Sequence, residues 1–185
     1  MTLCATASVK WQPPPLEVVK ANFDATFKPV SREAISGVVV RNSSDEVMGA
    51  SFQNFGHVIS SFAAEASAAI HAIELVGDLG ITKAIFEDDC LSVIKKLKAN
   101  VRDLSDICAL IWDAKSKAGN LLACLFSFVP RGGNQAAHLL ASASFNADMK
   151  FAFLQEVWGL WFDRFHSSLF ISVVVLFTLS FFGFP

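Results

Sequence analysis

The sequence predicts a single α/β domain whose elements run βββαβααβα, with a hydrophobic tail behind it. Three observations carry this. Val18–Ala25 and Ile35–Asn42 are β-branched runs bounded by polar or flexible residues, the signature of strands. From Ser61 the apolar residues Phe62, Ala66, Ala69, Ile73 and Val76 recur at spacings of four and three, the period of one helix face. A short apolar run, Lys83–Asp88, follows that helix, so a strand-helix-strand crossover should place it parallel within the sheet.

Each element follows in order. Trp11-Gln12-Pro13-Pro14-Pro15 can continue neither a helix nor a central strand, because three prolines remove three donors, and residues 1–15 read as a linker. The first strand is Val18–Ala25 and the second Ile35–Asn42. Asn42-Ser43-Ser44-Asp45 tolerates a tight turn, which makes the second strand and a third, Glu46–Asn54, a hairpin. The first helix ends at Gly80. Leu91–Leu97 supplies a second helix, and Asp103–Lys117, with Ile107, Leu110, Ile111 and Ala114 at helical spacing, a third. Leu121–Val129 is the fifth strand, closed by Pro130. Asn134 is placed to cap a last helix running to Phe145. The domain occupies 16–148 and the tail 149–185.

At 185 residues the chain has room for one buried core and a modest extension. Hydrophobic residues make up 53% against 17% charged, and the excess lies at the C-terminus. A net charge of −2 excludes a strong overall basic field, so any contact with a polyanion must be local. The four cysteines show no CxxC pair and no histidine at zinc-ligand spacing, which reads as reduced thiols inside the cell, in nucleus or cytoplasm. Residues 1–10 lack the long apolar stretch of a secretory signal.

Three acidic residues sit on elements that could converge: Asp24 near the end of the first strand, Glu65 in the first helix and Asp89 just past the fourth strand. Such a set suits Mg²⁺, which takes oxygen ligands and keeps several waters, with phosphate completing the shell. Two such ions about 4 Å apart activate water and stabilise a leaving oxygen. Glu87 and Asp88 border Asp89, but strand alternation sends neighbouring side chains to opposite faces, so Asp89 is the chosen ligand. No serine sits in a GxSxG elbow, no cysteine has a catalytic partner motif, and His57 and His71 have no metal-spaced neighbour. Lys95, Lys96, Lys98 and Arg102, followed by Lys115 and Lys117, form the one basic concentration. It is either a grip for phosphates or a solvated helical face.

The contexts of these residues resemble the plant ribonuclease H-like family, a reverse-transcriptase-like domain related to retroelement type 1 ribonucleases H. The likeness covers about Trp11 to Ala147. Val19-Lys20-Ala21-Asn22-Phe23-Asp24 is similar to its lysine-x-asparagine-x-aspartate strand, Ala64-Glu65-Ala66 to its helix motif, and Glu87-Asp88-Asp89 to its glutamate-x-aspartate strand end. Val129-Pro130-Arg131-Gly132-Gly133-Asn134, running on to His138, resembles its valine-proline-arginine loop and final helix. The resemblance implies a ribonuclease H-like fold, a five-stranded mixed sheet flanked by helices, with the acidic residues gathered at one sheet end. It implies Mg²⁺, with Mn²⁺ as substitute, held by Asp24, Glu65 and Asp89, and hydrolysis of RNA in RNA/DNA hybrids. Arg131 and Asn134 join Lys95, Lys96, Lys98 and Arg102 as candidate nucleic-acid contacts.

Against that pattern, Asp45 stands where a turn glycine is usual, and the loop before the last helix lacks a histidine carried by active bacterial relatives. His138 occupies the position of a fourth aspartate in bacterial and retroviral members, while histidine is familiar there in the plant branch. Imidazole is a poorer Mg²⁺ ligand than a carboxylate, so the expected second ion is held more weakly and His138 supplements the catalytic set. The alternative activity is a catalytically weakened nucleic-acid-binding module. Leu169–Phe184 is 16 residues without charge, just short of the ~20 that span a bilayer. It reads either as a membrane contact, helped by Trp158 and Trp161, or as an added tail that packs on the domain or folds poorly.

Overall fold

The computed structural model describes residues 10–145, and the expected tail lies outside them. The elements are β1 (Val19–Lys28), β2 (Glu33–Arg41), β3 (Val47–His57), α1 (Ser61–Asp78), β4 (Lys83–Asp88), α2 (Leu91–Lys98), α3 (Cys108–Ala118), β5 (Ala123–Phe128) and α4 (Gln135–Ala143), with a 3₁₀ turn at Arg131–Gly133. The order is the expected βββαβααβα.

They form one five-stranded sheet in the order β3-β2-β1-β4-β5. β1–β2 and β2–β3 pair antiparallel, β1–β4 and β4–β5 parallel, so the sheet is mixed. The parallel pairing of β1 with β4 ends at Asn22 opposite Glu87. Beyond that point the backbone groups of β1 that face β4 have no strand partner and must find side chains. That gap is where the acidic residues gather.

α1 is rich in small residues: Ala63, Ala64, Ala66, Ala68, Ala69 and Ala72 are all buried, in one core with Phe23, Val38, Val40 and Phe86. Removing that apolar surface from water is the main force holding helix on sheet. α4 approaches β2 at Gly37, where a Cβ would lie 2.5 Å from the Ala137 carbonyl oxygen and 2.6 Å from the Ala141 nitrogen. Asp24 is the register partner of Gly37. The close approach that only glycine permits there also brings α4 up to Asp24.

Several boundaries differ from expectation for local reasons. α3 begins at Cys108, not Asp103, because the Asp103 carboxylate accepts from the Ser105 backbone N–H (3.1 Å), the Ser105 hydroxyl (2.8 Å) and Lys96 (2.8 Å), fixing a turn. β1 runs on to Lys28 and β3 to His57, since pairing with β2 continues past the hydrophobic runs that marked them. In the β2–β3 turn the Asn42 side chain accepts from the N–H groups of Ser44 and Glu46, and Asp45 has φ 62°. That is the left-handed conformation for which glycine is usual and aspartate among the better substitutes.

The lead expected to be a linker is docked on the domain. The Trp11 indole donates to Asn22 Oδ1 (2.8 Å), the Arg41 guanidinium stacks 3.8 Å above its ring, and Lys20 donates to the Gln12 carbonyl (2.6 Å). The Asn22–Trp11 bond and the stack are tertiary contacts that proline content could not reveal. Cys90, Cys108 and Cys124 are free. Among the described residues no helix is long and apolar enough to cross a membrane.

Candidate metal and nucleic-acid site

Asp24 projects from β1 at the level of Gly37, only 1% exposed. Asp88 closes β4 and is fully buried, and Asp89 follows where the strand has ended. One carboxylate oxygen from each of Asp24, Asp88 and Asp89 lies within 4.8 Å of the others. Glu65 arrives from α1, and its Oε2 accepts the Ala25 backbone N–H at 3.0 Å, one of the groups left beyond the end of the β1–β4 pairing.

Glu87 is set apart as alternation requires: Lys20 bridges it at 3.0 Å. Asp88, which the same argument set aside, belongs to the cluster. Alternation applies within a strand, and β4 stops at Asp88, so the turn into α2 carries Asp89 round to the same oxygen group. Three consecutive acids at a strand end were the signal, and the two-face rule was carried one residue too far.

Asn134 is fully buried. Its amide donates to the Phe23 carbonyl (2.8 Å) and to Asp88 Oδ1 (3.3 Å), while its oxygen accepts from Asn22 (3.3 Å). Asn134 stands directly before α4 as expected, but as a nucleic-acid contact it is corrected. Its polar groups are spent inside the protein, where they satisfy backbone that the diverging strands leave unpaired, making it a positioning residue.

Arg131 and His138 meet Asp24 from the α4 side. Arg131 Nη1 donates to Asp24 Oδ1 at 2.7 Å, its Nε forms an ion pair with Asp89 Oδ2 at 3.1 Å, and His138 Nδ1 lies 3.0 Å from Asp24 Oδ2. Both oxygens of Asp24 are thus engaged. Asp88 Oδ1 accepts the Asp89 N–H (2.7 Å), whereas its Oδ2 is buried with no hydrogen-bond partner.

The electrostatics follow from burial first and from crowding second. Burial pushes the Glu65 carboxyl up to about 10, reinforced by the negative charges of Asp88, Asp24 and Asp89. Burial likewise raises Asp88 well above the usual carboxylate range, with Asp24 and Asp89 adding to it. Burial also raises Asp24, against the lowering pull of His138 and Arg131. Buried together, Glu65, Asp88 and Asp24 resist ionisation, and among the described residues the one guanidinium at the site faces Asp24 and Asp89 only. An all-oxygen donor set, one buried oxygen without a partner and neighbouring carboxyls whose pKa burial and then mutual repulsion raise together fit a hard divalent cation.

The basic concentration divides. Lys95, Lys98 and Arg102 are exposed, whereas Lys96 is tied to Asp103, Lys115 donates to the Ala99 carbonyl (2.6 Å) and Lys117 pairs with Glu74 (3.1 Å). His71 is a buried structural residue between the hydroxyls of Ser36 (2.6 Å) and Ser51 (3.0 Å), and burial lowers its pKa to about 4.

Solved structures share this architecture. A ribonuclease H1 from the halophilic archaeon Halobacterium salinarum superposes with TM-score 0.64 at 23% identity, over 69% of this chain and 97% of that one. The N-terminal ribonuclease H domain of a Mycobacterium tuberculosis protein gives 0.62 at 24% identity, over 73% and 98%. The compost-metagenome LC11 ribonuclease H1, solved in complex with an RNA/DNA hybrid, gives 0.60 at 16% identity, over 67% and 94%. The fold is ribonuclease H-like. No curated protein matches the chain. The reverse transcriptase-like family model matches residues 22–144, which take in Asp24, Glu65, Asp89 and His138. On that match, covering most of its length, the chain belongs to the reverse transcriptase-like family.

Proposed function

We propose that the chain binds RNA/DNA hybrids and hydrolyses their RNA strand endonucleolytically, using Mg²⁺ or, in its place, Mn²⁺. The observation that carries this is the convergence of Asp24, Asp88 and Asp89 on one cluster of carboxylate oxygens, with Glu65 against them and its ionisation disfavoured by burial. Asp24, Asp89 and Glu65 would hold the metal, with Asp88 as an added donor. When bound, the metal supplies Lewis acidity toward a phosphate oxygen and lowers the pKa of water. Asn134 fixes Asp88 through its amide, and Glu65 ties its carboxylate to β1 through the Ala25 N–H. His138, the plant-type residue at its position, holds Asp24 Oδ2 through Nδ1, and Lys95, Lys98 and Arg102 offer exposed charge to the substrate backbone. The hybrid held by the LC11 enzyme supports the substrate class. The reading keeps the domain inside the cell, in nucleus or cytoplasm, with 169–184 as a candidate membrane contact that fractionation of the full chain tests.

The decisive experiment incubates the full chain with a labelled RNA/DNA hybrid in Mg²⁺ and in Mn²⁺, beside Asp24→Asn and His138→Asp. Cleavage of the RNA alone, abolished by Asp24→Asn, is the expected result. Cleavage by His138→Asp but not by the parent would instead make the chain a weakened binding module.

A further inference from the structure

Arg131 spends its guanidinium on the two carboxylates that a metal would need. Its Nη1 and Nε take Asp24 Oδ1 and Asp89 Oδ2, yet its side chain is 56% exposed, so it lies over the site from the solvent side. The remaining Asp24 oxygen is held by His138. A cation drawing on Asp24 and Asp89 would therefore meet a fixed positive charge within bonding distance of the same oxygens, and like charges at that separation repel strongly in a partly buried site. The backbone that follows Arg131 is anchored on the domain. Gly133 is packed so that a Cβ would meet Val129 Cγ2 at 2.4 Å, and Asn134 is pinned to Phe23 and Asp88. The half-exposed side chain is the part with room to swing, and a planar fork released beside the site is well matched to a phosphate diester.

We propose that Arg131 is a metal-displaced arm: it neutralises Asp24 and Asp89 in the metal-free protein, and metal binding releases its guanidinium to take a phosphate of the nucleic-acid backbone. This rests on the nucleic-acid reading above and adds an order to it, metal first and phosphate contact second. Arg131 is then both a competitor for the metal and a positioning residue for the substrate.

The test uses the full chain, and its primary readouts are independent of cleavage. Mg²⁺ binding is measured by calorimetry for the parent, Arg131→Gln and Arg131→Lys, and the Arg131 Nε–H resonance is followed in the parent. Removing two ion pairs that compete for the ligands, one of them a charge-assisted hydrogen bond, should tighten Mg²⁺ about tenfold in Arg131→Gln. Arg131→Lys, which keeps the charge but loses the fork, should fall between. Saturating Mg²⁺ should move the Arg131 Nε–H signal to that of a solvated guanidinium, and dimethyl phosphate should then shift it further, with no shift in EDTA. An unchanged Mg²⁺ affinity in Arg131→Gln, an Nε–H signal indifferent to Mg²⁺, or an equal response to dimethyl phosphate in EDTA overturns the proposal. Displacement of Arg131 in a chain that cuts no hybrid would sink the nuclease reading and leave this one standing. Cleavage with Arg131 still seated on Asp24 and Asp89 would do the reverse.

Discussion

Glu65→Gln separates the electrostatic from the steric role of this residue. Glutamine keeps the shape and can still accept the Ala25 N–H through its amide oxygen, so only the ionisable group is removed. In the folded, metal-free protein the Glu65 pKa stands at about 10 against an ordinary 4.5. The folded state therefore binds the proton more tightly than the unfolded chain, and stability is full below pH 4.5 and declines as pH rises toward 10. Between pH 4.5 and 7 that decline amounts to at most about 3 kcal/mol at 1.36 kcal/mol per unit. Sharing of protons with Asp24 and Asp88 reduces it further. Glu65→Gln abolishes this contribution, so in EDTA the variant should equal the parent near pH 4.5 and exceed it at pH 7. With saturating Mg²⁺ the order should invert, because the parent then gains a charged ligand that glutamine cannot supply. Urea unfolding at pH 5 and pH 7, with EDTA and with Mg²⁺, reads all four quantities. A variant less stable than the parent by the same amount at both pH values in EDTA would refute the reasoning, since the carboxyl would then be acting as a packing group only.

Two further substitutions probe what positions the site. Asn134→Ala leaves the Phe23 carbonyl, Asp88 and Asn22 without their shared partner, and at about 1–3 kcal/mol per buried group it should lower the urea midpoint markedly with little change in slope. Gly37→Ala drives a methyl into the α4 backbone and should cost roughly 1–3 kcal/mol by thermal unfolding. It should also weaken Mg²⁺ binding, because the helix carrying His138 would have to move away from Asp24.

The fold was legible because its signals are local. The β-branched runs, the three-four spacing of α1 and the crossover into β4 each lie within a few residues, and they returned the element order in full. Boundaries failed where tertiary pairing decides them, as at Lys28 and His57, and where a side chain diverts the backbone, as Asp103 does before α3. In the site, Asp24, Glu65, Asp89 and His138 were named from short motifs. Two errors had one source: the parting of β1 from β4 beyond Asn22 and Glu87 is a feature of two strands together. It draws Asn134 inward to satisfy Phe23 and lets Asp88 join Asp89, and no stretch of either strand encodes it alone.

The docked indole changes where this domain begins in practice. Trp11 holds Asn22 Oδ1, Asn22 bonds Asn134, and Asn134 holds Asp88, so a chain of polar contacts runs from the proline-rich lead to the carboxylate cluster. A version trimmed at position 16, the start the strand pattern advertises, would keep every strand and every acidic residue yet lose the outermost link. Tolerance to shortening at this end should therefore fail at the indole, with the site loosening before the sheet does.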